Sequence, residues 1–380
     1  MSNKKKIVFI TGTRADYGKL TSIIGKLSKN KKFQIHIFVT GMHLLKKYDS
    51  TYKHVVKDYK LSTKIKFSKN QESNDTQDII LSKTVLNFSK YVSLINPDLI
   101  IVHGDRLEAL AGRIVGTMRQ YLVAHIEGGE ISGTVDEHLR HAVSKLSHIH
   151  FVANKTAKKI LENMGEDKKA IFNVGSPDID IMISKNLPSL SDVRKRYTIN
   201  FENYAIGILH PVTTSLKKLP KEARIFCNII KKSSKNFIII YPNNDPGNEI
   251  ILKSYQKYLR KNSRIRIIKS MRFEYFITLL KYSKFIIGNS SVGIREAPYF
   301  GVPTIDLGDR QKFRAKSKSV KNIEYDEKKI LNYIYGIKKK FKRSFHFGYG
   351  DSTKKITAII NSKKFWKINL QKHFVKDNNQ

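Results

Sequence analysis

The sequence predicts an α/β protein built from two doubly wound, parallel-sheet domains, and three observations point there. The chain has 380 residues, too long for one ordinary core and suited to two at roughly 100–200 residues per domain. Hydrophobic residues make up 40% and aromatic residues 10%, enough to bury real cores and to exclude wholesale disorder. Short apolar runs alternate with stretches of helical spacing along the chain, the pattern of parallel strands covered by helices.

In the first half the apolar runs are Ile7–Ile10, Ile35–Val39, Leu99–Val102, Tyr121–Ile126, Ile149–Ala153 and Ile171–Val174. Helical spacing falls near Asp16–Ser28, Gln77–Leu94, Glu108–Arg119 and Thr156–Met164. The second half repeats the theme with Tyr204–Leu209, Phe237–Tyr241, Ile265–Ile268, Phe285–Ile287 and Thr304–Leu307. Its helices are expected near Pro220–Lys232, Glu249–Leu259, Phe273–Tyr282 and Gly293–Phe300. Asn186–Ser191 reads as a linker, giving an expected N-terminal domain over 1–190, a C-terminal domain over 191–362 and a polar tail over 363–380.

Composition excludes other classes. No apolar run approaches the roughly 20 residues of a membrane-spanning helix. The basic Met1–Lys6 precedes only Ile7–Thr11, short of the roughly 7–15 apolar residues of a signal peptide, so a cytoplasmic protein is expected. The single cysteine, Cys227, rules out an internal disulfide framework. Net charge is +39, which raises nucleic-acid binding. The lysines are scattered rather than gathered in one arm, so a solvated surface that attracts anionic substrates is the better reading, with no specific nucleic-acid partner.

In doubly wound domains the ligand lies beyond the carboxyl ends of the strands, and there the sequence is dense in chemistry. After successive runs come Gly12-Thr13-Arg14, Thr40-Gly41-Met42-His43, His103-Gly104-Asp105-Arg106, His125-Ile126-Glu127-Gly128, Gly175-Ser176-Pro177-Asp178, His210-Pro211-Val212-Thr213, Tyr241-Pro242-Asn243 and Gly288-Asn289-Ser290-Ser291. Turn formation explains the Gly, Asn, Asp and Pro but not the recurrent His and Arg. Gly12-Thr13-Arg14 with Gly18 suits a phosphate at a helix start, with a simple strand–helix turn as the alternative. It is neither of the glycine-rich nucleotide fingerprints. Asn289–Pro298 offers hydroxyls and amides for a diphosphate, with Glu296 in the first helical turn; ordinary capping by Ser290 or Ser291 is compatible with that. His103 and Asp105, His125 and Glu127, and Asp136–His141 form a carboxylate–histidine group. Their spacing is poor for a metal, and convergence for general acid–base work fits better, a buried structural cluster being the alternative. Glu137 and Arg140, three apart, read as a surface pair.

Taken in order, these motifs resemble the hydrolysing UDP-N-acetylglucosamine 2-epimerases, and most closely the bacterial branch that makes N-acetylmannosamine for sialic acid. The resemblance runs from Gly12 to about Arg314 and more loosely to Asp351. It implies two Rossmann-like domains facing across a cleft that holds the nucleotide sugar (a GT-B-like architecture), a homodimer, and no metal or nicotinamide cofactor. By resemblance Asp105, Glu127 and Asp136 are the catalytic acids, Asp136 standing where the family often has Glu. Arg14, His210, Ser290, Ser291 and Glu296 match nucleotide-binding positions, with His210 also placed in the catalytic set. Lys19, His43, His103, Arg106, His125 and Arg310 complete the expected substrate and nucleotide contacts, the three histidines tuning or orienting the acids.

The chemistry asks for such residues. The C2 hydrogen of the sugar becomes acidic only once the C1–diphosphate bond breaks and an oxocarbenium-like centre forms. The site must therefore stabilise departing UDP, remove the C2 proton to give a glycal, and return a proton to the other face with water at C1. The alternatives are a relative acting on a UDP- or GDP-linked diacetamido-trideoxy sugar and a GT-B glycosyltransferase.

Overall fold

The computed structural model describes residues 4–59, 63–72, 75–132 and 135–375. Residues 376–380 of the expected tail lie outside the described residues. The chain divides into two compact units. The first comprises the residues up to Glu130, Asp136–Ser184 and everything from His346 on; the second comprises Ile131–Val135 and Lys185–Phe345.

The first unit is a parallel sheet of β1 (Lys5–Thr11), β2 (Phe33–Val39), β3 (Thr63–Phe67), β4 (Leu99–His103), β5 (Leu122–Ile126), β6 (Ile149–Val152) and β7 (Ile171–Asn173). Their order is β3-β2-β1-β4-β5-β6-β7. Ile7 pairs with Ile35 on one side and Leu99 on the other. Alternate residues of β1 enter two different cores: Ile7 and Phe9 pack with Leu20, Ile23 and Leu27, while Val8 and Ile10 pack with Phe88, Val92 and Val115. Both faces are thus covered by helices, which is why the strands read as continuous apolar runs. A buried aliphatic side chain contributes roughly 1.5–3 kcal/mol, so these two layers hold the strand ends, and the turns beyond them, in fixed positions.

The second unit is a parallel sheet of β8 (Ala205–Ile208), β9 (Phe237–Ile240), β10 (Ile265–Ile268), β11 (Ile286–Gly288), β12 (Thr304–Leu307) and β13 (Val320–Ile323), ordered β10-β9-β8-β11-β12-β13. At the end of β11, Gly288 has φ +138 and a Cβ there would run into the Ile208 carbonyl, so only glycine lets β11 and β8 approach this closely.

The predicted runs all became strands. β3 (TKIKF) and β13 (VKNI) did not announce themselves, because each is an edge strand with exposed polar residues in place of an apolar run. Residues expected in a linker instead open the helix Leu190–Tyr197, whose N-terminal amide is capped by Ser189.

The domain boundaries also differ from expectation. The chain returns to the first unit at His346. Helix Ser352–Asn361 buries Ile356 and Ile360 in the core that contains Ile7 and Phe9, and Phe365 joins them. The stretch beyond is polar in composition but fastened: Leu370 offers its carbonyl to His148 Nε2 at 3.1 Å, and Lys372 pairs with buried Glu166. Among the described residues no helix is long and apolar enough to cross a membrane.

Candidate active site

Each unit has one place where the strand order reverses direction, between β1 and β4 in the first and between β8 and β11 in the second. Crevices beyond the carboxyl ends at such points are where doubly wound sheets bind ligands. The motifs lie there in both units: Gly12–Lys19 follows β1, His103–Arg106 follows β4, His210 follows β8 and Asn289–Ser291 follows β11.

The turn after β1 resolves in favour of capping. Thr13 caps the helix Arg14–Ser28 with Asp16 in a reciprocal capping box. The Asp16 carboxylate accepts from the amides of Gly12 at 3.2 Å, Thr13 at 3.0 Å and Tyr17 at 2.6 Å. These three amides are turned to the protein's own carboxylate, and the half-buried Arg14 begins the helix beside them. A Cβ at Gly12 would meet the buried Glu108 carboxylate, so a larger residue here needs that side chain to shift.

His43 is fully buried and both ring nitrogens are engaged. The Thr11 hydroxyl donates to Asp16 at 2.8 Å, so it accepts from His43 Nε2 at 3.1 Å, and His43 Nδ1 lies 2.9 Å from Thr51 Oγ1. Burial, only partly opposed by Asp16, pushes its pKa down to about 4. His43 is therefore a neutral strut under the turn after β1.

His125 is built the same way. Its Nε2–H donates to the Gly104 carbonyl at 2.8 Å, which leaves Nδ1 to accept from Ser144 Oγ at 3.0 Å. Full burial lowers its pKa to about 3. The ring thus stays neutral and fastens the turn that carries His103 and Asp105.

The carboxylates are held by cations. Glu127 adopts φ +66, a left-handed conformation unusual for a non-glycine residue. Its buried carboxylate lies 3.1 Å from His103 Nε2 and 3.5 Å from Lys19 Nζ, and it accepts a short hydrogen bond from the Ser176 hydroxyl. Asp105 pairs with the Arg140 guanidinium, which also donates to the Glu130 carbonyl at 2.9 Å. Arg140 is 1% exposed, so it is not half of a surface pair with Glu137. Its partners, Asp105 and the Glu130 carbonyl, lie on the inner side of the helix Val135–Leu146, and Glu137 instead lies 3.9 Å from His141. Half-buried Asp136 opens that helix. Arg106 sits at the N-cap of the helix Leu107–Met118, with Nε 3.5 Å from Glu108.

The second unit uses amides and hydroxyls. Asn289 is completely buried and clamps the residue after β8 from both sides. Its Oδ1 accepts from the His210 amide at 2.7 Å, and its Nδ2 donates to the His210 carbonyl at 2.9 Å. The Asn243 amide donates to His210 Nδ1 at 3.1 Å, which leaves the ring proton of a neutral His210 on Nε2. Arg310 and Gln311 donate to the Asn289 carbonyl at 3.3 and 3.1 Å, so Arg310 braces this turn from behind. Buried Ser290 and half-buried Ser291 open a helix of only four residues, Val292–Arg295. Glu296 is therefore its C-cap and not part of its first turn, because Pro298 disfavours a continuing α-helix and a 3₁₀ turn, Ala297–Phe300, follows. Glu296 is buried at this break.

Within the first unit the structure thus gathers Lys19, His103 and Glu127, and separately Asp105 with Arg140; within the second it gathers His210, Ser290 and Arg310 around Asn289. Ser176, Asp178, Arg140 and Asn289 were not singled out as site residues. Asn289 and Ser176 stand directly beside turn glycines in the sequence.

The sequence pattern of the family described as UDP-N-acetylglucosamine 2-epimerase matches residues 25–361. The chain is 44% identical over 376 residues to a UDP-N-acetylglucosamine 2-epimerase of Neisseria meningitidis serogroup B, covering 98% of this chain and 99% of the relative. It is 32% identical over 349 residues to a UDP-N,N'-diacetylbacillosamine 2-epimerase (hydrolyzing) of Legionella pneumophila, covering 91% and 92%. In fold it is similar to the crystal structure of the Methanocaldococcus jannaschii UDP-GlcNAc 2-epimerase in complex with UDP-GlcNAc and UDP, with a TM-score of 0.79, 24% identity and coverage of 93% and 99%. The chain belongs to the UDP-N-acetylglucosamine 2-epimerase family.

Proposed function

We propose that the chain converts UDP-N-acetylglucosamine and water to N-acetylmannosamine and UDP, the hydrolysing form of the epimerase reaction, supplying a sialic acid pathway as a cytoplasmic homodimer. The observation that carries this reading is the pair of carboxylates Asp105 and Glu127 beyond adjacent strands β4 and β5, each fixed by a cation. Full-length similarity to the Neisseria relative supports the donor.

The steps follow from what the sugar needs. UDP leaves first, and donors that gain attraction as its charge grows lower that barrier. The proposed donors are Arg14, His210, Ser290 and Ser291. A comparable single donor is worth about 2.7–4 kcal/mol elsewhere. The C2 proton, acidified by the electron-poor C1, then passes to a carboxylate and leaves a 2-acetamidoglucal. Protonation of the opposite face at C2 and addition of water at C1 give the mannose configuration. Two faces require two acid–base groups, drawn from Asp105, Glu127 and Asp136.

Similarity to the Legionella enzyme favours a second donor, a UDP- or GDP-linked diacetamido-trideoxy sugar with the same chemistry. NMR product analysis with a panel of UDP- and GDP-linked amino sugars, no acceptor added, tests both. N-acetylmannosamine and UDP from UDP-N-acetylglucosamine is the expected result. Release from only the trideoxy donors would transfer the assignment to them, and an intact sugar throughout would favour a glycosyltransferase.

A further inference from the structure

Near Glu127 in the first unit lies a buried carboxylate that the acid–base scheme does not use. Asp178 opens the short helix Pro177–Met182 and is completely buried. Its Oδ2 lies 3.0 Å from Lys19 Nζ, nearer than the 3.5 Å that separates this ammonium from Glu127 Oε2. Lys19, on the helix Arg14–Ser28, is itself largely enclosed, its side chain 12% exposed. One cation therefore stands between two carboxylates. Two residues before Asp178, Ser176 hydrogen-bonds Glu127, so a single turn touches the acid twice, once through a hydroxyl and once through the shared lysine.

Burying a carboxylate is costly even after relaxation. The placement makes sense through its effect on Glu127. A lone Lys19–Glu127 ion pair would hold Glu127 firmly ionised. Asp178 claims part of the ammonium and adds a nearby negative charge, and both effects make Glu127 readier to take up a proton. A group that must both accept and release a proton near neutral pH needs that balance. The other groups around Glu127 do not supply it. His103 contacts it from β4, His125 is kept neutral by burial, and Arg140 is committed to Asp105.

We propose that Asp178 is a positioning residue: it holds the Lys19 ammonium in a shared seat between itself and Glu127, and so sets how readily Glu127 exchanges its proton. This rests on the reading of Glu127 as one of the acid–base groups. It also gives Lys19, expected from sequence as a substrate contact, the role of internal counter-ion.

The test is a charge cycle read in two ways. The carboxyl carbon of Glu127, assigned with E127Q, is titrated by NMR in the wild type, D178N, K19M and the double variant, and kcat/KM is measured against pH in the same proteins. D178N should lower the Glu127 midpoint by about half a unit or more, and K19M should raise it by about 1 unit, within the roughly 1–3 units that neighbouring charges produce. The double variant should fall between them, and the pH–rate limb belonging to Glu127 should move in step. D178S, with thermal unfolding measured alongside, repeats the test should D178N fold poorly. A Glu127 midpoint unchanged in D178N and D178S, with only the melting temperature reduced, would overturn the proposal and leave Asp178 a structural residue. If the midpoints shift as expected while no form of the protein releases UDP from a nucleotide sugar, the assignment of function fails and the charge coupling survives.

Discussion

The two units share a frame and differ in how they use it. Both are parallel sheets in which the chain starts at the centre, winds outward one way, and returns beside its first strand to wind the other way. Both set their polar turns at that reversal. In the first unit the turns carry ionised groups in opposed pairs: Lys19 with Glu127 and Asp178, and Arg140 with Asp105. In the second the turns are locked by an amide, with Asn289 gripping the backbone of His210 from both sides. The frame places a site, and the residues grafted on it decide its chemistry.

The comparison is broken most directly by D105N. Loss of a positioned acid–base group costs about 10²–10⁴-fold in turnover, while UDP affinity, assigned to the other residues, should hold within about twofold. Steady-state kinetics and UDP titration calorimetry measure both. Near-normal turnover would remove Asp105 from the chemistry, and a large loss of UDP affinity would erase the division of labour.

N289A is the counterpart in the second unit. It removes both hydrogen bonds to His210 and leaves buried backbone groups unpaired, at about 1–3 kcal/mol each. Weaker UDP binding by tenfold or more is expected, together with a lower melting temperature. Unchanged UDP affinity would show that the Asn289 clamp does not serve the nucleotide.

How far these residues were legible in the sequence follows the same physics. Strands buried on both faces must be apolar throughout, so β1 and β4 stood out; β3 and β13, at sheet edges, could be polar and did not. Residues beyond strand ends were legible as chemistry because turn formation does not call for His103, Glu127 or His210. Their roles were less legible. Whether a histidine is a strut or a proton carrier depends on what lies across the sheet, and His43 and His125 proved to be neutral struts between hydroxyls and a carbonyl. Arg140 looked like a surface residue because its partner Asp105 lies 35 residues away in sequence. The domain boundary was missed because the returning helix Ser352–Asn361 is amphipathic like any other, and nothing local says which sheet it covers.

Ionisation sharpens the contrast in stability. His43 and His125 have folded pKa values of about 4 and 3 against 6.5 for the free side chain. Above pH 6.5 both folded and unfolded forms are neutral and nothing is lost. As pH falls from 6.5 toward 4, only the unfolded chain takes up these protons, so stability drops by up to about 1.4 kcal/mol per pH unit for each histidine. Chemical denaturation across pH 7 to 4 measures this, and H43N should flatten the slope. A profile as steep in H43N as in wild type would contradict the strut assignment.

The smallest effect has the opposite sign and belongs to the second unit. Asp306 is buried on β12, and desolvation, only partly offset by Asn322 and Arg310, raises its pKa from 3.8 to about 6. Its carboxylate therefore lowers folded-state stability progressively as pH rises from 3.8 through 6. D306N should raise stability at pH 8 by about twice as much as at pH 5. Equal gains at both pH values would show that packing and not charge is responsible.

The central claim is that a carboxylate exchanges the sugar's C2 proton with solvent after UDP has left. Turnover of UDP-N-acetylglucosamine in deuterated water tests it most directly. The account predicts N-acetylmannosamine carrying one deuterium at C2, formed together with free UDP; N-acetylmannosamine that retains the original hydrogen at C2 would contradict it.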